Sequence, residues 1–380
     1  MSKLRILHIT PWFPNPENNV EAVFIAKHVV ALSEYCQNEV LHLRFGEKKE
    51  NVVKAAYQGI PIERKTFQPI INKWIIKEKL VSKFIFNYLS ENADKFDIVN
   101  FYIAYPNAVD IRKFKDSFKQ LKFVISEQWS AYHQEFNLPK ESKGRKRIEQ
   151  IFDLDIPLFA VSNALAEDIK KFTGIKDLPH KLIPNSVNKE DFKFKSKEKS
   201  ATFRFCSINN WSTLKNPFVL LEAFNLLHKE QPHVRLTLCG SGQLDNEIKA
   251  RISELNLNNE IDFQGRIQIG EVAKTLQNND AYCQSSNYET FSAICIESLA
   301  CGTPVVATNI GGMKDFINES NGILVDDMEA ESWKNALLSM IQNYTSFDLK
   351  SISDDIIDKY NQKKIGAILF SHFQEVAGEG

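Results

Sequence analysis

Short runs of apolar residues recur along the chain, and stretches with apolar positions at helical spacing follow most of them. Such runs are typical of buried strands, and the longer periodic stretches are typical of helices with one buried face. In the first half, strands are predicted at Leu4–Thr10, Val40–Phe45, Asp97–Tyr102, Phe123–Ser126 and Leu158–Ser162. Helices are predicted at Val20–Leu32, Ile70–Tyr88 and Asn163–Phe172.

A second series of the same kind fills the rest of the chain. Its predicted strands are Phe203–Ile208, Val234–Cys239, Ile261–Phe263, Ala281–Gln284 and Gly322–Val325. Its predicted helices are Pro217–Lys229, Asn246–Leu255, Glu271–Gln277, Ser332–Tyr344 and Gln362–Val376. Because strands and helices alternate and the strands are apolar, both series predict parallel, doubly wound α/β sheets.

The length of the chain, 380 residues, favours two such domains over one core. The stretch 188–200, NKEDFKFKSKEKS, is charged and has no long apolar face, so it is predicted to be a linker. It would join a first domain, 1–187, to a second domain, 201–360. Two such domains predict a cleft, with ligands at the carboxyl ends of the strands.

Composition limits the class of protein. With 43% hydrophobic and 25% charged residues, the chain is typical of a globular protein. No apolar run is long enough to span a membrane, and the start, MSKLRILHIT, lacks the features of a signal peptide. The six cysteines form no C-x-x-C pair, so neither a zinc site nor a disulfide framework is expected. We therefore expect a cytoplasmic protein.

Charge is divided unevenly between the two halves. Residues 1–180 carry 27 Lys and Arg against 22 Asp and Glu, a net +5, and the remainder is −6. A basic first half suits an anionic acceptor or the inner face of a membrane, although a solvated surface explains it equally well. The basic and aromatic stretch Ile70–Tyr88 is interpreted as a helix with one face on the sheet, and a membrane-touching helix is the alternative. No nucleic-acid partner is expected.

The most informative stretch is Ser285 to Gly312, SSNYETFSAICIESLACGTPVVATNIGG. A short helix is predicted to begin near Phe291–Ser292, where free backbone N–H groups and the helix dipole attract anions. Glu289 precedes this helix and Glu297 lies on it. A carboxylate among apolar neighbours is costly unless something hydrogen-bonds it, and a ligand with hydroxyl groups would do so.

Two glutamates separated by seven residues, followed by A-C-G-x-P-V-V-A-T and Gly-Gly, resemble the retaining glycosyltransferases of family 4. The resemblance implies the GT-B fold, in which two Rossmann-like domains face each other across a cleft and the last helix, here 362–380, returns to the first domain. It also implies that Glu289 contacts the donor sugar and Glu297 the ribose of the nucleotide. Without the rest of the block, either glutamate is explained equally well as a solvated or capping residue.

Other donor-site residues follow from the same resemblance. Lys215, in NNWSTLKNPF, matches the family lysine that binds the donor diphosphate. The remaining donor-binding positions are Asn210, Gly240, Gly242, Arg266, Ile267, Thr290, Phe291 and Ser292. Gly240 and Gly242 would let the backbone approach a nucleotide, or they simply form a tight turn. Arg266 is expected near the base or the diphosphate, and a solvated loop arginine is the alternative.

The chain departs from the family pattern at several of these positions. Asn210 stands where the family usually has Arg, and Ser292 where it often has Gly. Ala22 replaces the glycine of the first loop, and because Ala does not adopt positive φ cheaply, that loop is expected to differ. Gln128 stands where the family often has a His that touches the sugar or acceptor. Gln can hydrogen-bond a hydroxyl but cannot carry a proton at neutral pH.

The resemblance implies an enzyme that moves a sugar from a UDP- or GDP-sugar to a glycan or lipid-linked acceptor, with no cofactor and no metal. Asp153-Leu154-Asp155 has the D-x-D spacing of a metal site, but short acidic patterns arise by chance, and this one lies far from the two glutamates in sequence. Two alternatives stay open. The chain could be a nucleotide-sugar-binding subunit without transferase activity, or a sugar-nucleotide epimerase.

Overall fold

The computed structural model describes residues 3–68, 73–198 and 200–378, without the side chain of Ile269. The chain divides into two compact units. The first unit comprises Met1–Ser186 and Gln362–Gly380, and the second comprises Val187–Asn361.

The described part of the first unit contains an eight-stranded sheet in the order β3-β4-β2-β1-β5-β6-β7-β8. The strands are β1 Arg5–Thr10, β2 Gln37–Phe45, β3 Val53–Tyr57, β4 Ile60–Phe67, β5 Ile98–Tyr102, β6 Lys122–Glu127, β7 Leu158–Ala160 and β8 His180–Leu182. The helices are α1 Val23–Leu32, α2 Trp74–Asn92, α3 Ala104–Asn107, α4 Ile111–Ser117, α5 Lys143–Phe152 and α6 Asn163–Thr173. All neighbouring strands pair in parallel except β3 and β4, which form an antiparallel hairpin.

Within its described residues, the second unit contains a six-stranded parallel sheet in the order β11-β10-β9-β12-β13-β14. The strands are β9 Phe203–Ile208, β10 Val234–Cys239, β11 Ile261–Gly265, β12 Ala281–Gln284, β13 Val305–Thr308 and β14 Gly322–Val325. The helices are α7 Pro217–Glu230, α8 Asp245–Glu254, α9 Ile269–Asn278, α10 Ala293–Ala300, α11 Ala330–Asn343 and α12 Leu349–Tyr360. The strand order reverses between β9 and β12, which is where ligands bind in doubly wound sheets.

The last helix, α13 (Gln362–Ala377), belongs to the first unit, as predicted. It packs against α1, and a Cβ at Gly366 would lie 2.4 Å from the carbonyl oxygen of Ala31. Leu369 and Phe373 of the same helix are fully buried. A glycine is therefore needed at position 366, because the two helix backbones approach too closely for a side chain.

The segment predicted to be a linker, 188–200, lies within the second unit instead. Phe192 is buried, and the Lys197 ammonium donates to Thr303 Oγ1 at 2.7 Å and to the Leu276 and Asn279 carbonyls. Burial lowers the pKa of Lys197 to about 8. The charged composition concealed these contacts, because a lysine can bury its stem and satisfy its ammonium on backbone carbonyls.

Helix α1 begins later than predicted, and the predicted start of α2 lies outside the described residues. Helix α1 begins at Val23 rather than Val20, and α2 begins at Trp74, while residues 70–72 of the predicted helix lie outside the described residues. No described helix is long and apolar enough to cross a bilayer.

The loop before α1 corrects one prediction. Ala22 was expected to force a different loop, but it adopts φ 46° and ψ 41° and stands directly before α1. Its carbonyl accepts a hydrogen bond from the Ile25 N–H at 2.9 Å. The left-handed conformation costs an alanine about 1–2 kcal/mol, so the surrounding contacts hold a backbone shape that glycine would adopt more easily.

Candidate active site

The centre of the second sheet brings two predicted site residues together. Strands β9 and β12 are neighbours, so the loops that follow them lie at the same edge of the sheet. Lys215 comes from the loop after β9 and Glu289 from the loop after β12. Their side chains form an ion pair, with Lys215 Nζ 2.5 Å from Glu289 Oε1. The side chains are 23% and 11% exposed, so the pair is sheltered but reachable by a ligand.

The Glu289 carboxylate is held by one of its two oxygens. Oε1 accepts from Lys215 Nζ, from Gln284 Nε2 at 2.8 Å and from Ser286 Oγ at 2.7 Å. Among the described residues, no donor reaches Oε2. The carboxylate is thereby fixed in orientation, with its second oxygen left for a ligand.

A buried network of polar side chains at the ends of β9 and β12 supports the Glu289 carboxylate. Gln284 is fully buried, and its amide nitrogen also lies 3.0 Å from Asn209 Oδ1. The Tyr282 hydroxyl contacts Gln284 Oε1 and lies 3.2 Å from the Ile208 carbonyl oxygen. The sequence analysis missed Gln284, Ser286 and Tyr282. The available signal was a glutamine at the end of an otherwise apolar strand, which must find partners when buried.

Gly311 fixes the backbone of Glu289. It has φ +52°, and a Cβ on it would lie 1.7 Å from the Glu289 carbonyl oxygen. The next residue, Gly312, donates its N–H to the same oxygen at 3.3 Å. The Gly-Gly pair of the motif therefore serves as a close-packed backbone support for the glutamate.

Gly311→Ala is expected to lower the free energy of unfolding by more than about 2 kcal/mol and to weaken donor binding, because the Glu289 backbone must move. Urea unfolding and nucleotide titration would measure the two effects. The matched control is Gly270→Ala, where a Cβ would meet nothing within 4 Å. An unchanged Gly311→Ala protein would contradict this role for the glycine.

Helix α10 begins at Ala293, close to the predicted start. Ser292 precedes it with φ 65°, so the position where the family often has glycine keeps a conformation that favours glycine. Phe291 is buried and its ring lies 5.0 Å from that of Phe316, while Thr290 stays partly exposed. The first N–H groups of α10 have no carbonyl partner within the helix, which favours anions at this end.

Glu297 lies one helical turn beyond Ala293, on the same face of α10. Glu297 is partly buried, unlike Ile296 and Leu299 beside it, which are fully buried. The structure therefore places Glu297 on the helix that begins three residues after Thr290, as the sequence predicted.

The other predicted donor residues lie on loops at the same edge of this sheet. A Cβ at Gly240 would lie 1.8 Å from the Asn209 carbonyl oxygen, and one at Gly242 would lie 2.1 Å from that of Trp211. Both glycines thus let the loop after β10 pack on the loop after β9. Asn210 is exposed between Asn209 and Trp211. Arg266 Nε lies 3.4 Å from Ser241 Oγ, and Ile267 follows it, partly buried.

Gln128 lies in the first unit, directly after β6. Its Nε2 lies 3.3 Å from His28 Nδ1, and His28 Nε2 lies 3.0 Å from the Pro184 carbonyl oxygen. The carbonyl must accept, so His28 Nε2 carries the proton and Nδ1 accepts from Gln128. Burial lowers the pKa of His28 to about 4, which keeps this ring neutral. Gln128 Oε1 is buried without a partner among the described residues.

Glu127, beside Gln128, is a buried carboxylate to which the sequence analysis gave no role. It is fully buried, and its carboxylate accepts from the N–H groups of Ala104, Gln128 and Trp129 and from the Tyr132 hydroxyl, each at 2.9 Å. Burial raises its pKa, and these hydrogen bonds oppose the shift. Glu127 therefore holds together the loops that follow β5 and β6.

The described residues contain no cluster of three His, Cys, Asp or Glu side chains arranged to hold a metal ion. Asp153 and Asp155 line a cavity of 570 Å³ formed by the loops that precede β7 and β8. These loops lie at the amino ends of the strands, away from the edge that carries Gln128.

Comparison with protein-family models matches residues 188–362 to "Glycosyl transferases group 1". A D-inositol 3-phosphate glycosyltransferase of Paenarthrobacter aurescens is 29% identical over 168 residues, covering 43% of this chain and 41% of that protein. The enzyme of the same name from an Arthrobacter species is 34% identical over 129 residues, covering 33% and 31%. The chain thus matches between about a third and two fifths of the length of these relatives.

Solved structures resemble the whole chain at low sequence identity. Sucrose-phosphate synthase from Thermosynechococcus elongatus superposes with a TM-score of 0.79 at 16% identity, covering all of both chains. Anabaena HepE in complex with UDP and glucose superposes with a TM-score of 0.73 at 16% identity, covering 98% of this chain and all of that one. At such identities the likeness shows a shared fold.

Proposed function

We propose that the protein is a retaining glycosyltransferase, since residues 188–362 match the model of the glycosyl transferases group 1 family and the chain has the GT-B fold. It would move a sugar from a nucleoside-diphosphate sugar to an acceptor hydroxyl without a metal ion. The observation that carries the proposal is the Lys215–Glu289 pair beside the N-terminus of α10.

Departure of the diphosphate builds negative charge on a phosphate oxygen. The Lys215 ammonium has three protons, and its ion pair with Glu289 uses one of them, so Lys215 can also donate to a phosphate. The N-terminus of α10 would add backbone N–H groups and the positive end of the helix dipole. Such preorganised donors typically contribute most of the stabilisation of a charged transition state.

The two glutamates would orient the donor. Glu289 would accept from a sugar hydroxyl through Oε2, because its bound donors meet Oε1. Glu297 would accept from the ribose hydroxyls. Asn210, Arg266, Ile267, Thr290, Phe291 and Ser292 would complete the donor site, with Gly240 and Gly242 shaping it.

Retention requires the acceptor oxygen to bond the sugar carbon on the face from which the diphosphate leaves. The carbon–phosphate-oxygen bond breaks, the carbon–acceptor-oxygen bond forms, and the leaving phosphate takes the hydroxyl proton. No separate protein base is needed, which is consistent with a glutamine at position 128. Gln128 would hydrogen-bond the sugar or the acceptor, with His28 holding its amide.

The donor would be a UDP- or GDP-sugar and the acceptor a glycan or a lipid-linked sugar. HepE was solved with UDP and glucose, which favours UDP as the first donor nucleotide to test. We place the reaction in the cytoplasm or at the inner face of the membrane.

A panel of UDP- and GDP-sugars tested with sugar and lipid-linked acceptors would examine this proposal. We expect one donor to give a product whose anomeric configuration by NMR equals that of the donor, with unchanged rates in EDTA. An inverted product, or a rate abolished by EDTA, would contradict the mechanism. Donor binding without transfer or hydrolysis would favour a binding subunit. Interconversion of the sugar nucleotide without an acceptor product would favour an epimerase.

A further inference from the structure

A cavity of 420 Å³ lies in the first unit at the carboxyl edge of its sheet. Tyr105 lines it from α3, which follows β5, and Trp129 and Phe136 line it from the segment after β6. Trp74 and Ile75 line it from the first turn of α2. We call it the aromatic cavity. Its volume is within the roughly 300–1,000 Å³ typical of small-molecule sites.

The walls of the aromatic cavity are mainly apolar rings. Phe136 packs edge-on against Trp129, with ring centres 5.0 Å apart, and against Tyr105, at 5.8 Å. The Trp74 ring lies 5.6 Å from that of Tyr105. Rings in these arrangements form a stiff, preorganised surface for an apolar ligand.

Two charged groups at this cavity, Glu78 and Arg147, pair with each other. Glu78 is 2% exposed, and its carboxylate accepts from the Tyr105 hydroxyl at 2.7 Å and from Arg147 Nε at 2.6 Å. Both oxygens of the Glu78 carboxylate are thus already hydrogen-bonded, and a polar group of a ligand buried against the aromatic rings without a partner would be costly. The buried part of the ligand is expected to be hydrocarbon.

One wall is built from strained backbone. Glu135, Phe136 and Asn137 have φ values of 49°, 54° and 53°. Such conformations cost non-glycine residues about 1–2 kcal/mol each, and they concentrate at ligand sites. The buried Arg145 side chain holds this wall through its NH1 contact with Glu135 Oε2 at 2.6 Å. The backbone conformation that places Phe136 in the cavity therefore lowers the stability of the folded protein.

The rim is apolar and cationic. Trp74 is 55% and Ile75 49% exposed, the highest values among the exposed large apolar side chains of the described residues. Exposed apolar groups beside a cavity indicate a binding surface. Lys77 Nζ lies 4.9 Å from the centre of the Trp74 ring, and the exposed Lys143 lines the cavity. An anionic group of the ligand is therefore expected at the rim.

From these features we propose that the aromatic cavity binds the hydrocarbon part of an amphiphile whose phosphate contacts Lys143. Identifying this amphiphile as the acceptor rests on the proposed function, in which the transferred sugar needs an acceptor hydroxyl. The cavity lies beyond the ends of β5 and β6, next to the loop that begins with Gln128. Exposed Trp74 and Ile75 would then cover the chain as it enters.

Decyl phosphate, below its critical micelle concentration, is a suitable probe of the full-length protein, with calorimetry as the measurement. We expect it to bind at least about tenfold more tightly than either decanol or inorganic phosphate, because chain and phosphate both contribute. Trp74→Ala should weaken binding about tenfold. Leu182→Ala removes another exposed apolar side chain, 40% exposed, on β8 and should not.

The charge requirement has its own pair of variants. Lys143→Glu should weaken decyl phosphate about tenfold and leave decanol binding unchanged. Lys122→Glu, an exposed lysine at the start of β6, is the matched control. Equal effects of the two substitutions would overturn the assignment of the rim.

The remaining outcomes also decide the matter. If inorganic phosphate or decanol alone binds as tightly as decyl phosphate, or if only anionic vesicles bind and decyl phosphate does not, the proposed site is wrong. Decyl phosphate that binds in a Trp74-dependent way supports the cavity even when no donor of the panel is transferred. In that case the proposed function fails, and the binding site stands.

Discussion

Replacing Glu289 by Gln, or Lys215 by Met, is expected to lower the rate of sugar transfer by about 100-fold or more. Glu289→Gln removes the negative charge that pairs with Lys215 at 2.5 Å, and replaces an acceptor oxygen by a donor in a site crowded with donors. Lys215→Met removes the cation proposed to stabilise the leaving diphosphate. Initial rates with the donor found in the panel would measure both effects.

The controls are exposed residues of the same unit and the same chemistry, Lys229→Met and Glu247→Gln. Both should transfer sugar at the wild-type rate. Circular dichroism and urea unfolding should show all four variants folded. Near wild-type transfer by either site variant would remove that residue from the proposed mechanism.

Replacing His42 by Leu is expected to reduce the loss of unfolding free energy that the protein suffers as the pH falls below about 6.5. His42 is buried on β2, its Nε2 lies 3.3 Å from the Pro11 carbonyl oxygen, and Phe13 packs beside it. Burial, with Arg64 and Arg44 nearby, lowers its pKa from 6.5 to about 3. Between those values the unfolded chain binds a proton that the folded protein does not. Stability conferred by neutral His42 is therefore complete above pH 6.5 and falls as the pH falls towards 3.

The expected magnitude is about 1.4 kcal/mol per pH unit, or about 2 kcal/mol between pH 7 and 5. The quantity to measure is the wild-type free energy of unfolding minus that of His42→Leu, at each pH. The wild-type profile alone would not isolate His42, because His8 and His28 act in the same direction and the raised pKa of Glu127 opposes them. These groups are present in both proteins, so their contributions cancel in the difference. His233→Leu, at an exposed position, should leave the slope unchanged. A pH-independent difference for His42→Leu would show that His42 is not buried as described.

The strands of both units were largely predictable because buried parallel strands are continuous apolar runs. The hairpin of β3 and β4 was missed, since KAAYQGIPIERK mixes polar and apolar residues and Val53–Tyr57 is mostly exposed. Helix α5 was missed for a related reason. Its sequence, KGRKRIEQIF, is strongly basic, and its buried face includes Arg145 as well as Ile148 and Ile151.

At the site, the motif predicted residues but not what supports them. Glu289 and Lys215 were predicted from the resemblance to the family motif, and the structure brings their side chains into contact. The network of Gln284, Tyr282 and Asn209 depends on β9 lying beside β12, which sequence periodicity does not encode. The prediction that Ala22 changes the first loop was wrong. It treated a backbone preference of about 1–2 kcal/mol as decisive, although tertiary contacts can outweigh it.

A crystal structure of the full chain with the bound donor nucleotide would test the central claim most directly. We predict phosphate oxygens within hydrogen-bonding distance of Lys215 Nζ and the first N–H groups of α10, with the ribose hydroxyls on Glu297. A nucleotide bound elsewhere, for example in the 590 Å³ cavity lined by Arg204 and Lys274, with Lys215 in contact with Glu289 alone, would contradict the account.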